Sequence, residues 1–301
     1  VAMTAGAKVT LPKIFSNGMV MQQQTDANIW GKANANATVK ISTSWNKKTI
    51  TVKSDSEGEW KAKVQTPQAG GPYSITFSDG EKTTLDNILV GELWICSGQS
   101  NMEMPMKGFK NQPVENAVED ILHSGDKEMR LFTVKRTSKF APVDDVVGEW
   151  KEACPESVRD FSATAYYFGR ELRSMLGVPV GLIVTSWGGS SCEAWMNRDW
   201  LKAFPQIELP TSQETIKSKN RTATVLYNGM LRPLIGVSMR GVIWYQGEEN
   251  VSRSSYYADL FSRMIKGWRE EWQQGDFPFY FCQIAPYDYS LIKWEQYNSA
   301  F

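Results

Sequence analysis

Ser100 stands in the run Ser97-Gly98-Gln99-Ser100-Asn101-Met102, directly after the apolar stretch Ile88 to Cys96. A serine at the start of a strand-to-helix turn is exposed, and the first turn of the helix points unpaired backbone N–H groups at an anion forming beside it. That suits the nucleophile of an acyl transfer. Two further polar runs supply what such a reaction needs. Gly188 and Gly189, in Ser186-Trp187-Gly188-Gly189-Ser190-Ser191, lack side chains, so their amides can approach a reacting carbonyl closely. Asn250, in Tyr245-Gln246-Gly247-Glu248-Glu249-Asn250, carries a side-chain amide that can donate to an oxyanion. Glu248 and Glu193 are the nearby acids; either can orient a histidine, bind a substrate hydroxyl or hold loop amides, and Glu248, inside the third run, is assigned to the site. Gln99 and Gln246 are read as loop-holding amides. Each run alone is an ordinary turn, and their recurrence after three successive strands is what points to a site.

The elements that must position these runs divide the chain in two. From Val9 to about Leu89, short alternating segments such as Thr38 to Ser42, Thr49 to Lys53 and Trp60 to Val64 are separated by turn residues. Period-two alternation of this kind predicts a small antiparallel β-sandwich over residues 1–88. From residue 89 continuous apolar strands alternate with helical stretches, the pattern of a parallel sheet covered on both faces. Its strands are Ile88 to Cys96, Val180 to Ser186, Met239 to Tyr245 and Phe277 to Ile284. Its helices are Ser162 to Leu176, with Ser162 as N-cap and Gly177 beyond the end, and Ser255 to Gln273. Ligands of such α/β sheets bind outside the carboxyl ends of the strands, which is where all three runs fall.

Trp94 to Met102, Ser186 to Gly189 with Glu193-Ala194-Trp195, and Trp244 to Asn250 together closely resemble the sialate O-acetylesterase family of SGNH hydrolases, over nearly the whole chain. The resemblance implies an SGNH-type, flavodoxin-like parallel sheet with flanking helices over residues 89–301. It implies Ser100 as nucleophile, with its own amide, Gly188 or Gly189, and Asn250 as the oxyanion hole. Glu249 stands where the family commonly has a small residue, a change in local charge. The implied reaction is hydrolysis of acetyl esters on a sugar, an O-acetylated sialic acid or, alternatively, acetylated xylan or another plant polysaccharide. No metal or organic cofactor is implied.

A serine nucleophile needs a base, normally a histidine held by a carboxylate. The chain has one histidine, His123, in what reads as the last turn of a helix before Gly125, a place that suits the helix dipole. The family's Asp-x-x-His motif does not occur, and the helical spacing of Trp294 to Phe301 runs on without a cap. The expectation is that the Asp and His lie beyond Phe301 and that these 301 residues alone lack normal turnover. A chain truly ending at 301 would instead read as a non-catalytic carbohydrate binder. A glycosidase with paired carboxylates leaves the glycine and asparagine runs unexplained.

With 33 basic and 33 acidic side chains and no block of like charge, nothing directs the protein to nucleic acid or an anionic membrane. The longest apolar stretch, Val178 to Trp187, is too short to span a bilayer. The small residues of Val1 to Ala7 resemble what remains after signal-peptide removal, so an exported protein is expected. Cys96, Cys154, Cys192 and Cys282 form no CxxC pair and are read as mostly buried thiols, and 12 tryptophans suit sugar stacking as well as a large core.

Overall fold

In Glu59–Gln65, Trp60, Ala62 and Val64 are buried and every alternate residue is exposed, because successive strand side chains point to opposite faces. The computed structural model, which describes residues 8–286, repeats that logic across the first part of the chain. Val1 to Ala7 and Trp294 to Phe301, read above, lie outside the described residues. The strands there are β1 (Val20–Gln22), β2 (Asp26–Lys32), β3 (Thr38–Thr43), β4 (Thr49–Lys53), β5 (Glu59–Gln65) and β6 (Gly70–Ser78). β2 and β5 pair as a two-stranded antiparallel sheet, and β4, β3 and β6 run antiparallel in that order onto the long strand β7 (Lys82–Gly98). Ile29, Trp60 and Val64 from the pair meet Val39, Ile41, Ile75 and Phe77 from the other sheet in one apolar core.

β7 belongs to both parts of the molecule. Its first half pairs antiparallel with β6, and its second half, from Glu92 on, pairs parallel with β10 (Val180–Ser186) and β11 (Gly241–Tyr245). The change of rhythm between residues 88 and 89 therefore falls inside one continuous strand. β8 (Asp126–Thr133) lies parallel beyond β10, β9 (Trp150–Ala153) closes that edge antiparallel, and β12 (Phe279–Phe281) lies parallel beyond β11. The result is a mixed α/β fold with one large mixed sheet and flanking helices. The helices are α1 (Ser100–Glu103), α2 (Ala117–Leu122), α3 (Pro155–Val158), α4 (Ala163–Leu176), α5 (Arg198–Leu201) and α6 (Tyr257–Trp272).

Both long helices follow from local chemistry. The Ser162 side chain accepts the Ala165 N–H at the start of α4, and Gly177 ends it in the left-handed conformation at φ 63. On α6, Leu260, Met264, Trp268 and Trp272 bury one face at helical spacing. α6 begins at Tyr257 rather than Ser255 because Glu248–Tyr256 is taken up by a 3-10 stretch. β8 and β9 escaped the sequence reading: Asp126, Lys127, Glu128 and Arg130 mask the apolar pattern, yet Arg130 is buried, bonded to Gly18 O and Asn87 Oδ1 and paired with Glu152. Of the run Phe277 to Ile284 only three residues form strand, so Cys282, placed by that reading in the core, lies just past β12 and is exposed. Cys96 and Cys192 are buried, Cys154 is half-buried, and all four are free thiols. Among the described residues no helix is long and apolar enough to cross a membrane.

Candidate active site

β7 sits between β10 and β11, and the pairing places Ser186 opposite Gly98 and Tyr245 opposite Gly98. The three polar loops therefore leave the sheet side by side at one level, at the carboxyl ends of adjacent parallel strands. Gly98 makes the turn possible: its φ is +141, and a Cβ there would lie 2.1 Å from Tyr245 O. Ser100 follows at the first position of α1, half-buried. Among the described residues neither its Oγ nor its backbone N–H has a hydrogen-bond partner. Two residues at the start of α4 hold α1 in place: Thr164 Oγ1 donates to Asn101 O at 2.7 Å and Ser162 Oγ to Met102 O at 2.6 Å.

Gly188 lies beside the serine, since a Cβ on it would be 3.6 Å from Ser100 Cβ. Its amide is committed: Gly188 N–H donates to Glu103 Oε2 at 2.6 Å, and its carbonyl accepts from Asn220 Nδ2 at 2.7 Å. Glu103 in turn holds Arg136 through Oε1 at 2.6 Å, and the Arg136 guanidinium lies 5.6 Å from the centre of the Trp187 ring. Of the two glycines, Gly189, at φ +66, is the one whose N–H has no acceptor among the described residues.

Asn250 is buried to 2% exposure. Its Oδ1 accepts from Cys192 N at 2.9 Å and Gln246 Nε2 at 2.7 Å, and its Nδ2 donates to Glu193 Oε2 at 2.8 Å. A carboxamide nitrogen has two hydrogens, so one is left without an acceptor among the described residues. Glu193 is fixed on its other side by Arg253 at 3.2 Å. Glu248 accepts from Asn101 Nδ2 at 2.8 Å through Oε1, while its Oε2 is buried with no partner among the described residues. Glu249 pairs with Arg221 at 3.1 Å, yet burial outweighs that pairing and holds its carboxyl above the usual range. The extra negative charge expected at 249 is thus balanced locally.

The glutamines hold loops. Gln99 Oε1 accepts from Gly247 N at 3.2 Å, and Gln246 bonds Ser190 O, Asn250 Oδ1 and the Tyr257 hydroxyl. His123 is exposed at the end of α2, its Nδ1 2.9 Å from Glu119 O, and bonds no residue of the three loops. Among the described residues no three His, Cys, Asp or Glu side chains gather as a metal site. The sequence reading gave no role to Glu103, Asn220, Arg221, Arg136 or Arg253. Glu103 was signalled by lying three residues after Ser100, the spacing of neighbours on a helix face; Asn220 and Arg221 come from a long loop with no motif.

The pattern is not confined to this chain. The carbohydrate esterase family described as sialic acid-specific acetylesterase matches residues 90–300. Human sialate O-acetylesterase is 30% identical over 313 residues, covering 94% of this chain and 58% of the relative. The Rattus norvegicus sialate O-acetylesterase is 30% identical over 353 residues, covering 97% of this chain and 64% of the relative. A solved carbohydrate acetylesterase from Xanthomonas citri superposes with a TM-score of 0.81 at 33% identity, over 91% of this chain and 60% of that one. The chain thus spans about six-tenths of the length of these relatives. With a family match over residues 90–300 and the three motif loops gathered at one end of its sheet, the chain belongs to the carbohydrate esterase family of sialic acid-specific acetylesterases.

Proposed function

We propose that Ser100 is the nucleophile of a two-step hydrolysis that removes acetyl groups from a sugar. The observation that supports this reading is the alignment of Ser186, Gly98 and Tyr245 across three adjacent parallel strands, with Gly188 next to Ser100 and the loop of the buried Asn250 leaving the same end of the sheet. Ser100 Oγ attacks the acetyl carbonyl and gives its proton to a base. The oxyanion so formed is met by donors fixed in advance, namely the Ser100 and Gly189 amides and the remaining Asn250 Nδ2 hydrogen. Collapse expels the sugar oxygen, which takes the proton back, and water then releases acetate from the acetyl-serine. The Gly188 amide joins only if Glu103 releases it.

The base is assigned to an Asp-x-x-His pair of the full-length protein, because His123 is turned to Glu119 on α2 and the chain has no other histidine. Glu248, with its buried free oxygen, is assigned to orient that histidine or to accept a sugar hydroxyl. The finer reading of the fold is an SGNH-type hydrolase over residues 89–301 behind an antiparallel sandwich over 1–88, in an exported protein. Acetylated sialic acid is the first substrate class and acetylated xylan the second.

The test is acetate release by the full-length protein from acetylated sialosides and acetylated xylan. Ser100→Ala is expected to cost more than about a thousandfold in kcat, as loss of a serine nucleophile does. Unchanged release by that variant would overturn the reading. The 301 residues alone are expected to release acetate no faster than the Ser100→Ala protein.

A further inference from the structure

A cavity of about 850 Å3 shares no lining residue with the Ser100 loops. It is open to solvent between β2, β4 and β5 on one side and residues 142–145 and 232–235 on the other, so both parts of the molecule build it. Ligand sites span about 300–1,000 Å3, and this one is within that range.

Its lining combines an aromatic face with hydrogen-bonding groups of both signs. Trp30 is half-buried, fixed by Phe15, whose ring packs in a T-shape at 4.6 Å. Lys61 Nζ and the six-membered ring of Trp30 converge on one spot: both lie within 3.9 Å of where a Cβ on Gly236 would be. Arg232 lies on the same side and is exposed, and among the described residues neither it nor Lys61 has an ion-pair partner. Across the cavity Lys32 reaches Glu59 at 3.4 Å and Asp144 at 4.0 Å. Four basic and four acidic side chains line the cavity, leaving no net charge.

This chemistry selects among ligands. A nucleic acid, an anionic membrane or a polyanionic glycan is drawn to net positive charge, which the cavity lacks. A sugar ring lays its C–H face on an indole, and each hydroxyl both donates and accepts, so it satisfies carboxylates and cationic groups alike. We infer that the cavity binds a neutral oligosaccharide segment, holding the glycan at a place separate from Ser100. The inference rests on the carbohydrate-esterase reading and narrows it toward polymeric substrates, since a second holding site raises the local concentration of ester groups only when they share a chain with the bound segment.

Binding of xylohexaose and cellohexaose to the full-length Ser100→Ala protein, measured by titration calorimetry with sialyllactose as the charged control, tests it. At least one neutral hexasaccharide is expected to bind saturably, and Trp30→Ala to weaken it about tenfold or more through the lost stacking. Because Trp30 also packs on Phe15, the paired exposed substitutions Lys61→Ala and Arg232→Ala serve as an independent arm, with an expected loss of about threefold or more. Absence of saturable binding by either neutral sugar at millimolar concentration, tighter binding of sialyllactose, or affinity unchanged in both variants would overturn the inference. With the nucleophile removed, binding is read apart from the chemistry. Acetate release that survives Ser100→Ala sinks the acyl-transfer reading and leaves this one standing.

Discussion

The Glu103 carboxylate accepts the Gly188 N–H at 2.6 Å, tying the helix that bears Ser100 to the loop after β10. Glu103 is only 16% exposed in its side chain and also holds Arg136, so the bond is charge-assisted and partly shielded from water. Such bonds contribute about 1.5–3 kcal/mol, and Glu103→Ala is expected to lower unfolding stability by that order. Glu103→Gln keeps an acceptor for Gly188 while losing the ion pair, and should recover part of the loss. Chemical denaturation of the two variants checks this; equal stability of Glu103→Ala and the parent would remove the tie from the account.

Ser162 does two tasks at once, capping α4 through the Ala165 N–H at 3.0 Å and anchoring α1 through Met102 O at 2.6 Å. It is buried, so its removal leaves both groups short of a partner away from water. Ser162→Ala is expected to cost about 2 kcal/mol, the upper end for a lost N-cap. The denaturant midpoint should fall with an unchanged slope, and kcat should fall as well because α1 carries Ser100. Lost stability with kcat intact would separate the cap from the site.

Much of this arrangement was legible because it is written locally. The cap at Ser162, the stop at Gly177, the buried stripe of α6 and the three polar runs are all short-range signals; the cap, the stop and the stripe form as expected, and the three runs follow adjacent parallel strands. What stayed hidden depends on chain crossings that no spacing encodes. Asn220 reaches Gly188 across 32 residues and Arg130 reaches Gly18 across 112. Arg130 shows the physical reason: a buried charge is tolerated once its donors are satisfied, but the pattern around it then reads as exposed. The apolar run from Ile88 reads as the start of a new part, whereas the 17 residues of β7 pair antiparallel with β6 in their first half and parallel with β10 and β11 in their second.

Burial holds the Glu249 carboxyl above its ordinary range despite Arg221, which fixes the sign of a pH effect. A folded-state pKa above the unfolded one means that the group favours the folded state most below the unfolded value and loses that contribution as pH rises through the folded one. Glu249→Gln is therefore expected to raise the melting temperature at pH 7 to 8, with the gain disappearing below about pH 4, under the ordinary glutamate value. Paired melts across that range check it. A loss at pH 7 to 8 that disappears toward acid would show that the Arg221 attraction wins over burial.

Asn250 offers the most discriminating substitution, because Asn250→Asp keeps the shape and changes one atom's role. Oδ1 still accepts from Cys192 N and Gln246 Nε2, but the atom facing Glu193 at 2.8 Å turns from donor into a second carboxylate oxygen. Two acids at that separation cannot both ionise freely, so one pKa of the pair must rise and stability should fall as pH climbs through the carboxylate range. The variant also loses the hydrogen left over for an oxyanion. Removing one such donor costs about a hundredfold to a thousandfold in kcat, and that loss is expected in the full-length protein with little change in KM. Asn250→Asp with kcat near the parent value would take Asn250 out of the proposed oxyanion hole and leave the Ser100 and Gly189 amides as its proposed donors.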